Sequence, residues 1–171
     1  MEEINSIKEL INEINRAPKE EFAAIFKRIS ISEDTFRELA QWKEDGYTRN
    51  CIARTDEYEL LLLCWSPGVE TPVHGHGGQD CWVYCAQGEV MELRFLQDAQ
   101  GDLIETEKLI LKKGELSYMK DELGFHSVNN VTKKPAMTVH LYALPIDECK
   151  VYNVEDELFE RKKMEYDSKV G

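Results

Sequence analysis

The chain has 171 residues, 42% of them hydrophobic, which fits one globular domain with a sizeable core. A formal net charge of -12 argues against nucleic acid or an anionic membrane surface as a partner, because both are bound by clustered Lys and Arg. The longest apolar run, residues 60–65, is too short to span a bilayer, and the first residues lack the pattern of a secretory signal. We therefore expect a cytoplasmic monomer that binds neither nucleic acid nor a membrane.

The cysteine content predicts free thiols. Five cysteines form an odd set that contains no C-x-x-C pair, which argues against a disulfide framework or a zinc knuckle. Cys51, Cys64 and Cys85 are expected to pack in the core as small hydrophobic side chains.

Residues 1–43 are predicted to form a helical segment. Apolar residues follow helical spacing over residues 3–15, and Pro18 suits the first turn of a second helix. Ser30-x-x-Glu33 has the form of a capping box for a third helix, with Ser32 as a competing cap. We expect these helices to pack on the outside of the domain that follows.

Residues 45–171 are predicted to be mainly β. Short runs of β-prone residues alternate with turns rich in Gly, Pro and Asp, which is typical of a β-barrel or sandwich. The predicted strands are 47–54, 58–65, 81–86, 89–96, the segment 103–119 around a turn at Gly114, 136–144, and an edge strand at 162–168. Helices and strands together are expected to form a single domain over residues 1–171.

The most informative stretch lies between residues 68 and 88 and contains His74 and His76, two of only four histidines. Residues two apart on a strand point to the same face, so both imidazoles can meet one metal ion. Gly77 and Gly78 follow and predict a turn before the next strand. The H-x-H spacing alone does not separate a metal site from two solvated surface histidines.

One late strand places three polar side chains on one face. Thr138, His140 and Tyr142 are spaced by two, and the alternate residues of the strand are apolar. Buried polar groups need hydrogen-bond partners. We therefore expect a buried polar row near the metal, although a polar outer face without a role is the alternative.

Two motifs resemble those of the cupin superfamily. The first is Gly68-x5-His74-x-His76-x4-Cys81-x6-Gly88, in which a cysteine replaces the usual glutamate ligand, and the second ends in His126-x3-Asn130. A cysteine at this position is the mark of the cysteine dioxygenase branch of the cupins. The resemblance covers roughly residues 45–150 and continues in YTRN (47–50), LCW (63–65), GFHSVNNV (124–131), HLY (140–142) and IDEC (146–149).

The resemblance implies a fold and a set of site residues. The fold would be a cupin-type double-stranded β-helix, a jelly-roll barrel, with the N-terminal helices packed outside. The residues that match the family pattern are the Fe(II) ligands His74, His76 and His126; the cross-linking pair Cys81 and Tyr142; the carboxylate-binding Arg49 with its neighbour Tyr47; the hydrogen-bonded row Thr138, His140 and Tyr142; and Cys149 near the pocket mouth.

The activity implied by the resemblance is oxidation of L-cysteine by O2 to cysteine sulfinate, a step of cysteine catabolism. The chemistry of the residues agrees, because three neutral imidazoles leave room on a metal for a thiolate, an amine and dioxygen. The guanidinium of Arg49 offers a planar fork to a carboxylate. The close alternative is a dioxygenase for another small thiol, such as 3-mercaptopropionate. Two further alternatives are a non-catalytic metal-binding cupin and a three-histidine zinc site that activates water.

Overall fold

The computed structural model describes residues 2–170. Three short α-helices precede the strands: α1 (Ile7–Arg16), α2 (Phe22–Phe26), which continues a 3-10 turn at Lys19–Glu21, and α3 (Glu33–Arg37). No helix within residues 2–170 is long and apolar enough to cross a membrane.

The helix boundaries differ from the predicted ones at two caps. The first helix begins at Ile7 rather than at residue 3, because the Ser6 side chain accepts a hydrogen bond from the Glu9 N–H and so caps the helix there. Ile4 instead forms a parallel β-bridge with Ile29. At the third helix the cap is Ser32, which accepts from the Thr35 N–H, so the competing cap replaces the predicted box at Ser30.

Eleven strands follow within the described residues, and most of their bounds agree with the predicted ones. They are β1 (Tyr47–Arg54), β2 (Tyr58–Trp65), β3 (Asp80–Gln87), β4 (Glu89–Gln97), β5 (Leu103–Lys112), β6 (Leu116–Met119), β7 (Phe125–Asn129), β8 (Ala136–Ala143), β9 (Glu148–Asn153), β10 (Leu158–Lys163) and β11 (Ser168–Lys169). The single edge strand predicted at 162–168 is wrong, because this segment spans the end of β10, a loop and the start of β11.

The strands form two facing sheets and a hairpin. The larger sheet has the order β11-β1-β2-β8-β3-β6, and the smaller one has the order β5-β4-β7, with β9 and β10 paired separately. Strand β11 runs parallel to β1, whereas the other pairs are antiparallel. Non-consecutive neighbours such as β2 and β8 show that the chain crosses between the sheets, as expected for a jelly roll.

Two apolar cores lie on opposite faces of the larger sheet. One core packs the helices, through side chains such as Phe26 and Phe36, against the outer face that carries Leu141. The other core lies between the two sheets and includes Trp65 and Val128. Burial of one such side chain contributes roughly 1.5–3 kcal/mol. The predicted mainly β architecture with helices packed outside is thus confirmed.

Strand β7 was not predicted as a strand, and a glycine determines how it begins. Gly124 has a φ of +99°, and a Cβ at this position would lie 2.1 Å from the carbonyl oxygen of Phe95. Only glycine fits such a backbone position without displacing its neighbour. The strand that follows pairs with β4 and places His126 opposite Arg94. The close approach of the two backbones therefore brings His126 into the barrel.

Candidate metal centre and active site

Three histidines converge inside the barrel. One ring nitrogen from each of His74, His76 and His126 lies within 4.8 Å of the other two. His76 and His126 are buried and His74 is half-buried. The ring centroid of His126 lies 4.6 Å from those of both His74 and His76. The structure therefore brings together the three predicted metal ligands.

Backbone hydrogen bonds fix the two segments that carry these histidines. His74 and His126 form a reciprocal bridge, in which the His74 N–H donates to the His126 carbonyl at 2.8 Å and the reverse bond is 3.0 Å. The Asp121 carboxylate accepts from the N–H groups of His76 at 2.8 Å and Gly78 at 2.7 Å. The expectation that His74 and His76 lie on one strand is wrong. His74 lies in an isolated bridge, and the loop before β3 turns His76 inward.

Hydrogen bonds on the far side of two rings select the tautomer. Nδ1 of His74 lies 3.0 Å from the carbonyl oxygen of Pro72, and Nδ1 of His126 lies 3.0 Å from Oε1 of Glu92. Both partners are acceptors, so each Nδ1 carries the proton and donates it. In this neutral tautomer the two Nε2 atoms, 3.2 Å apart, present their lone pairs to the same point.

These residues fit a metal ion. Within residues 2–170, neither ring nitrogen of His76 has a hydrogen-bond partner, although the side chain is buried. A buried polar atom without a partner is costly unless a ligand satisfies it. Burial lowers the pKa of His74 to about 3 and lowers the pKa of His76 well below its ordinary value, so both rings are neutral, as ligands must be. The three nitrogens thus form a donor set suited to iron or zinc.

A directed chain of hydrogen bonds runs along the inner face of β8. Trp65 Nε1 donates to Thr138 Oγ1 at 2.8 Å, and Thr138 Oγ1 lies 2.9 Å from His140 Nε2. The indole can only donate, so the threonine oxygen accepts from it, and the threonine hydroxyl hydrogen can be directed to His140 Nε2. Burial lowers the pKa of His140 well below its ordinary value, so the ring is neutral, and in the tautomer that accepts from Thr138 its single proton lies on Nδ1. That proton faces the Tyr142 oxygen at 3.3 Å.

With His140 in this tautomer, the hydroxyl hydrogen of Tyr142 is available to a further acceptor. Cys81 on β3 is the direct cross-strand partner of Tyr142 on β8. Both side chains are buried, and burial raises the pKa of each well above its ordinary value. The thiol and the phenol are therefore neutral neighbours beside the histidines. The predicted buried polar row is present, and it ends at the predicted cross-linking pair.

A small cavity of about 50 Å³ adjoins this cluster. Its walls include Tyr47, Arg49, His74, His140 and Tyr142, so the predicted substrate-binding residues share one space with a candidate ligand. Cys149, predicted at the pocket mouth, is a buried free thiol in the cavity wall, with its Sγ 3.2 Å from Met164 Sδ.

Arg49 is buried at 6% exposure, and its Nη1 has no hydrogen-bond partner in the part of the chain that the structure describes. The Tyr47 ring stacks on Trp65 with a centroid separation of 5.1 Å, which fixes the wall next to Arg49. A free guanidinium donor in the wall of a small cavity is suited to an anionic group of a small molecule. The cavity thus combines a histidine of the candidate metal cluster at one wall with an unpaired guanidinium donor at another.

Three polar residues of the site were not predicted from the sequence. Glu92 accepts from His126, Glu59 lies behind Arg49, and Tyr166 contacts both Glu59 and Arg54. Glu59 is the only charged residue in the apolar strand β2, and that isolated charge is a signal that the sequence does contain. No local sequence pattern indicates the role of Tyr166, because it lies 107 residues away from Glu59 in the chain.

Solved structures with this architecture identify the class of the fold. The protein TT1209 from Thermus thermophilus aligns with a TM-score of 0.53 and 23% identity over 64% of this chain and 93% of that chain. A protein from Klebsiella pneumoniae, described as having a double-stranded β-helix domain, aligns with a TM-score of 0.51 and 20% identity over 63% of this chain and 85% of that chain. The chain therefore has the cupin-type double-stranded β-helix.

Sequence comparison identifies the family. The family described as cysteine dioxygenase type I matches residues 2–155. Human cysteine dioxygenase type 1 is 26% identical over 156 residues, which cover 89% of this chain and 78% of that protein. The zebrafish enzyme of the same name is 26% identical over 157 residues, with the same coverage. The chain belongs to the cysteine dioxygenase type I family, and it is a thiol dioxygenase.

Proposed function

We propose that this chain is an iron(II) enzyme that oxidises L-cysteine with O2 to cysteine sulfinate. The observation that supports the proposal most directly is the shared cavity. One wall holds His74 of the three-histidine donor set, and another holds a buried arginine with an unpaired Nη1. A small thiol that also bears a carboxylate matches both walls at once. Thiols without a carboxylate would leave Arg49 unsatisfied.

The proposed ligands His74, His76 and His126 would hold the iron through neutral ring nitrogens. Ferrous iron would supply a site where the substrate thiolate and dioxygen meet. Because Cys81 stands where a carboxylate ligand is usual, the donor set adds no negative charge that would oppose thiolate binding. Both oxygen atoms end on the substrate sulfur, and the thiolate is the reductant, so no external electron donor is required.

The other proposed site residues would bind and orient the substrate. Arg49 Nη1 would donate to the substrate carboxylate, with Tyr47 beside it in the wall. Tyr142 would donate its hydroxyl hydrogen toward the substrate, with His140 in the tautomer that donates its Nδ1–H to the tyrosine oxygen. Thr138 orients His140 and so maintains this direction. Holding sulfur and carboxylate at fixed points lowers the entropic cost of bringing the reactants together.

The domain organisation of the chain is part of the same proposal. We propose one cupin domain over residues 1–171, with the helical segment 1–43 and the barrel 45–171 folding together, since α2 and α3 contact β3. A cytoplasmic location and a monomeric state stay predictions of the sequence.

A thioether bond between Cys81 and Tyr142 is a testable part of the proposal. The two residues face each other across β3 and β8, so a bond requires no strand rearrangement. After turnover with iron, O2 and cysteine, peptide mass spectrometry should show a joined Cys81–Tyr142 peptide pair that has lost two hydrogens. The Cys81→Ala variant is the matched control and should give only unlinked peptides. Recovery of unlinked peptides alone from the parent protein would refute the bond.

Oxygen uptake tests the reaction itself. Iron-loaded protein given L-cysteine should consume one O2 per cysteine and release cysteine sulfinate, with both oxygen atoms derived from O2 as shown by isotope labelling. The zinc-loaded protein is the matched control and should consume none. A higher kcat/KM for 3-mercaptopropionate or cysteamine than for cysteine would reassign the substrate, and activity that ignores oxygen would reject the dioxygenase reaction.

A further inference from the structure

A buried carboxylate lies directly behind Arg49. Glu59 on β2 has 0% exposure, and its Oε2 accepts from the Ile146 N–H at 3.1 Å. Its Oε1 accepts from the Tyr166 hydroxyl and lies 4.0 Å from Arg49 Nη2 and 3.8 Å from Arg54 Nη1. Tyr166 lies beyond the residues 2–155 that the family matches, so family membership assigns no role to it.

The direction of the hydrogen bond between Tyr166 and Glu59 is determined by a third residue. Arg54 Nη1 lies 2.5 Å from the Tyr166 oxygen, and Arg54 Nη2 is held by Asp147 at 2.7 Å. A guanidinium has donors only, so the phenol oxygen accepts from Arg54 and gives its single hydrogen to Glu59. Burial and the Glu59 hydrogen bond raise the pKa of Tyr166 to about 12, so this hydrogen is present at neutral pH.

The Tyr166 hydroxyl thereby occupies the carboxylate oxygen that Arg49 would otherwise take. At 4.0 Å the Arg49–Glu59 pair is longer than a hydrogen bond, although both side chains are buried. The Arg49 guanidinium carbon lies 5.8 Å from the centre of the Tyr166 ring, which supports it from one side. The guanidinium is thus not drawn onto Glu59, and its Nη1 is unpaired among the described residues, next to the cavity.

We propose that Tyr166 and Glu59 together determine how strongly this pocket discriminates thiols that carry a carboxylate from thiols that do not. Glu59 opposes carboxylate binding by balancing the charge of Arg49, and Tyr166 limits that opposition by holding the Glu59 oxygen away from the guanidinium. Both act through Arg49 and are positioning residues. The inference rests on the proposed role of Arg49 as the carboxylate-binding residue.

The two residues are expected to have opposite effects when they are changed. Tyr166→Phe keeps the ring beside Arg49 but frees the Glu59 oxygen, so the guanidinium should turn toward Glu59 and bind a substrate carboxylate less well. Glu59→Gln keeps the shape and an acceptor for Tyr166 but removes the opposing charge, so carboxylate binding should strengthen. Damage to the fold would weaken binding in both variants, and opposite signs therefore distinguish positioning from structural disruption.

The experiment measures the dissociation constants of cysteine and cysteamine by calorimetry on Fe(II)-loaded protein without oxygen, so that the readout is binding and not turnover. The preference for cysteine should fall on the order of tenfold in Tyr166→Phe and rise by a similar factor in Glu59→Gln. Adding Tyr166→Phe to Glu59→Gln should not change the preference for cysteine further, because the Glu59 charge that Tyr166 restrains is already absent. Tyr58→Phe is the matched control: it likewise removes a hydroxyl that donates to a side chain, Asn15 at 2.8 Å, but Tyr58 packs in the core beneath the helices.

Each outcome decides the inference. Opposite shifts in the two single variants, with no shift in Tyr58→Phe, support it. Shifts of the same sign, or equal changes for cysteine and cysteamine, overturn it while leaving the proposed function intact. A parent protein that binds cysteine no more tightly than cysteamine overturns the role of Arg49, and the inference falls with it.

Discussion

Replacing Arg49 by leucine should lower kcat/KM for cysteine by roughly thirtyfold to several thousandfold, which corresponds to about 2–5 kcal/mol for the loss of a buried charged partner. The reason is that the pocket would lose the guanidinium as carboxylate donor: its Nη1 is unpaired next to the cavity, and the side chain is only 6% exposed. The loss should appear mainly in KM, because the carboxylate is held in both the ground state and the transition state. Steady-state oxygen consumption measures both constants.

Two comparisons make this prediction specific. Arg49→Lys keeps the charge but loses the planar fork, so it should retain part of the cysteine activity. Cysteamine has no carboxylate, and its anaerobic binding to the Fe(II)-loaded protein should be nearly the same in parent and variant. An equal loss for cysteine and cysteamine would mean that the substitution damages the pocket as a whole.

The second large effect is expected at Glu92, which orients a candidate metal ligand. Its Oε1 accepts from His126 Nδ1 at 3.0 Å, and Arg94 Nε lies 3.1 Å from the same oxygen. Carboxylates in this position fix the ring and raise its basicity, and their loss typically costs about 10–100-fold in metal affinity or activity. Glu92→Ala should therefore weaken Fe(II) and Zn²⁺ binding by a factor in that range. Competition with a chelator of known affinity gives the measurement.

A nearby glutamate provides the matched control. Glu107 is exposed and lies 3.0 Å from Arg94 Nη1, so Glu107→Gln perturbs the same arginine without touching His126. Its metal affinity should equal that of the parent. Glu92→Gln keeps an acceptor for His126 Nδ1, so its metal affinity should lie between those of the parent protein and of Glu92→Ala. Unchanged metal affinity in Glu92→Ala would contradict the assignment of Glu92 as the residue that orients His126.

The strands were the most predictable part of the fold, because local signals delimit them. The predicted runs 47–54 and 58–65 coincide with β1 and β2, where polar turn residues interrupt β-prone sequence on either side. Strand β7 was missed because it has five residues, and Gly124 obscures its start. The helix that was expected from residue 3 starts later because tertiary pairing of Ile4 with Ile29 overrides helical periodicity.

The site was predictable only as far as a motif or a short spacing could indicate it. The row from Thr138 to Tyr142 followed from strand alternation, and the structure joins it by hydrogen bonds. The convergence of His126 with His74 depends on pairing between distant segments, so it was expected only from the family resemblance. Tyr166 could not be found in this way, since its role depends on a contact that no local pattern encodes.

The reciprocal backbone bridge between His74 and His126 links the metal centre to the stability of the whole chain. These residues are 52 positions apart, so the donor set exists only after a long loop has closed and the two sheets have met. A metal ion would bind the native state and not the unfolded chain, and it would shift the unfolding equilibrium by mass action. Iron supply would then influence how long the protein survives proteolysis in the cell, in addition to whether it turns over substrate.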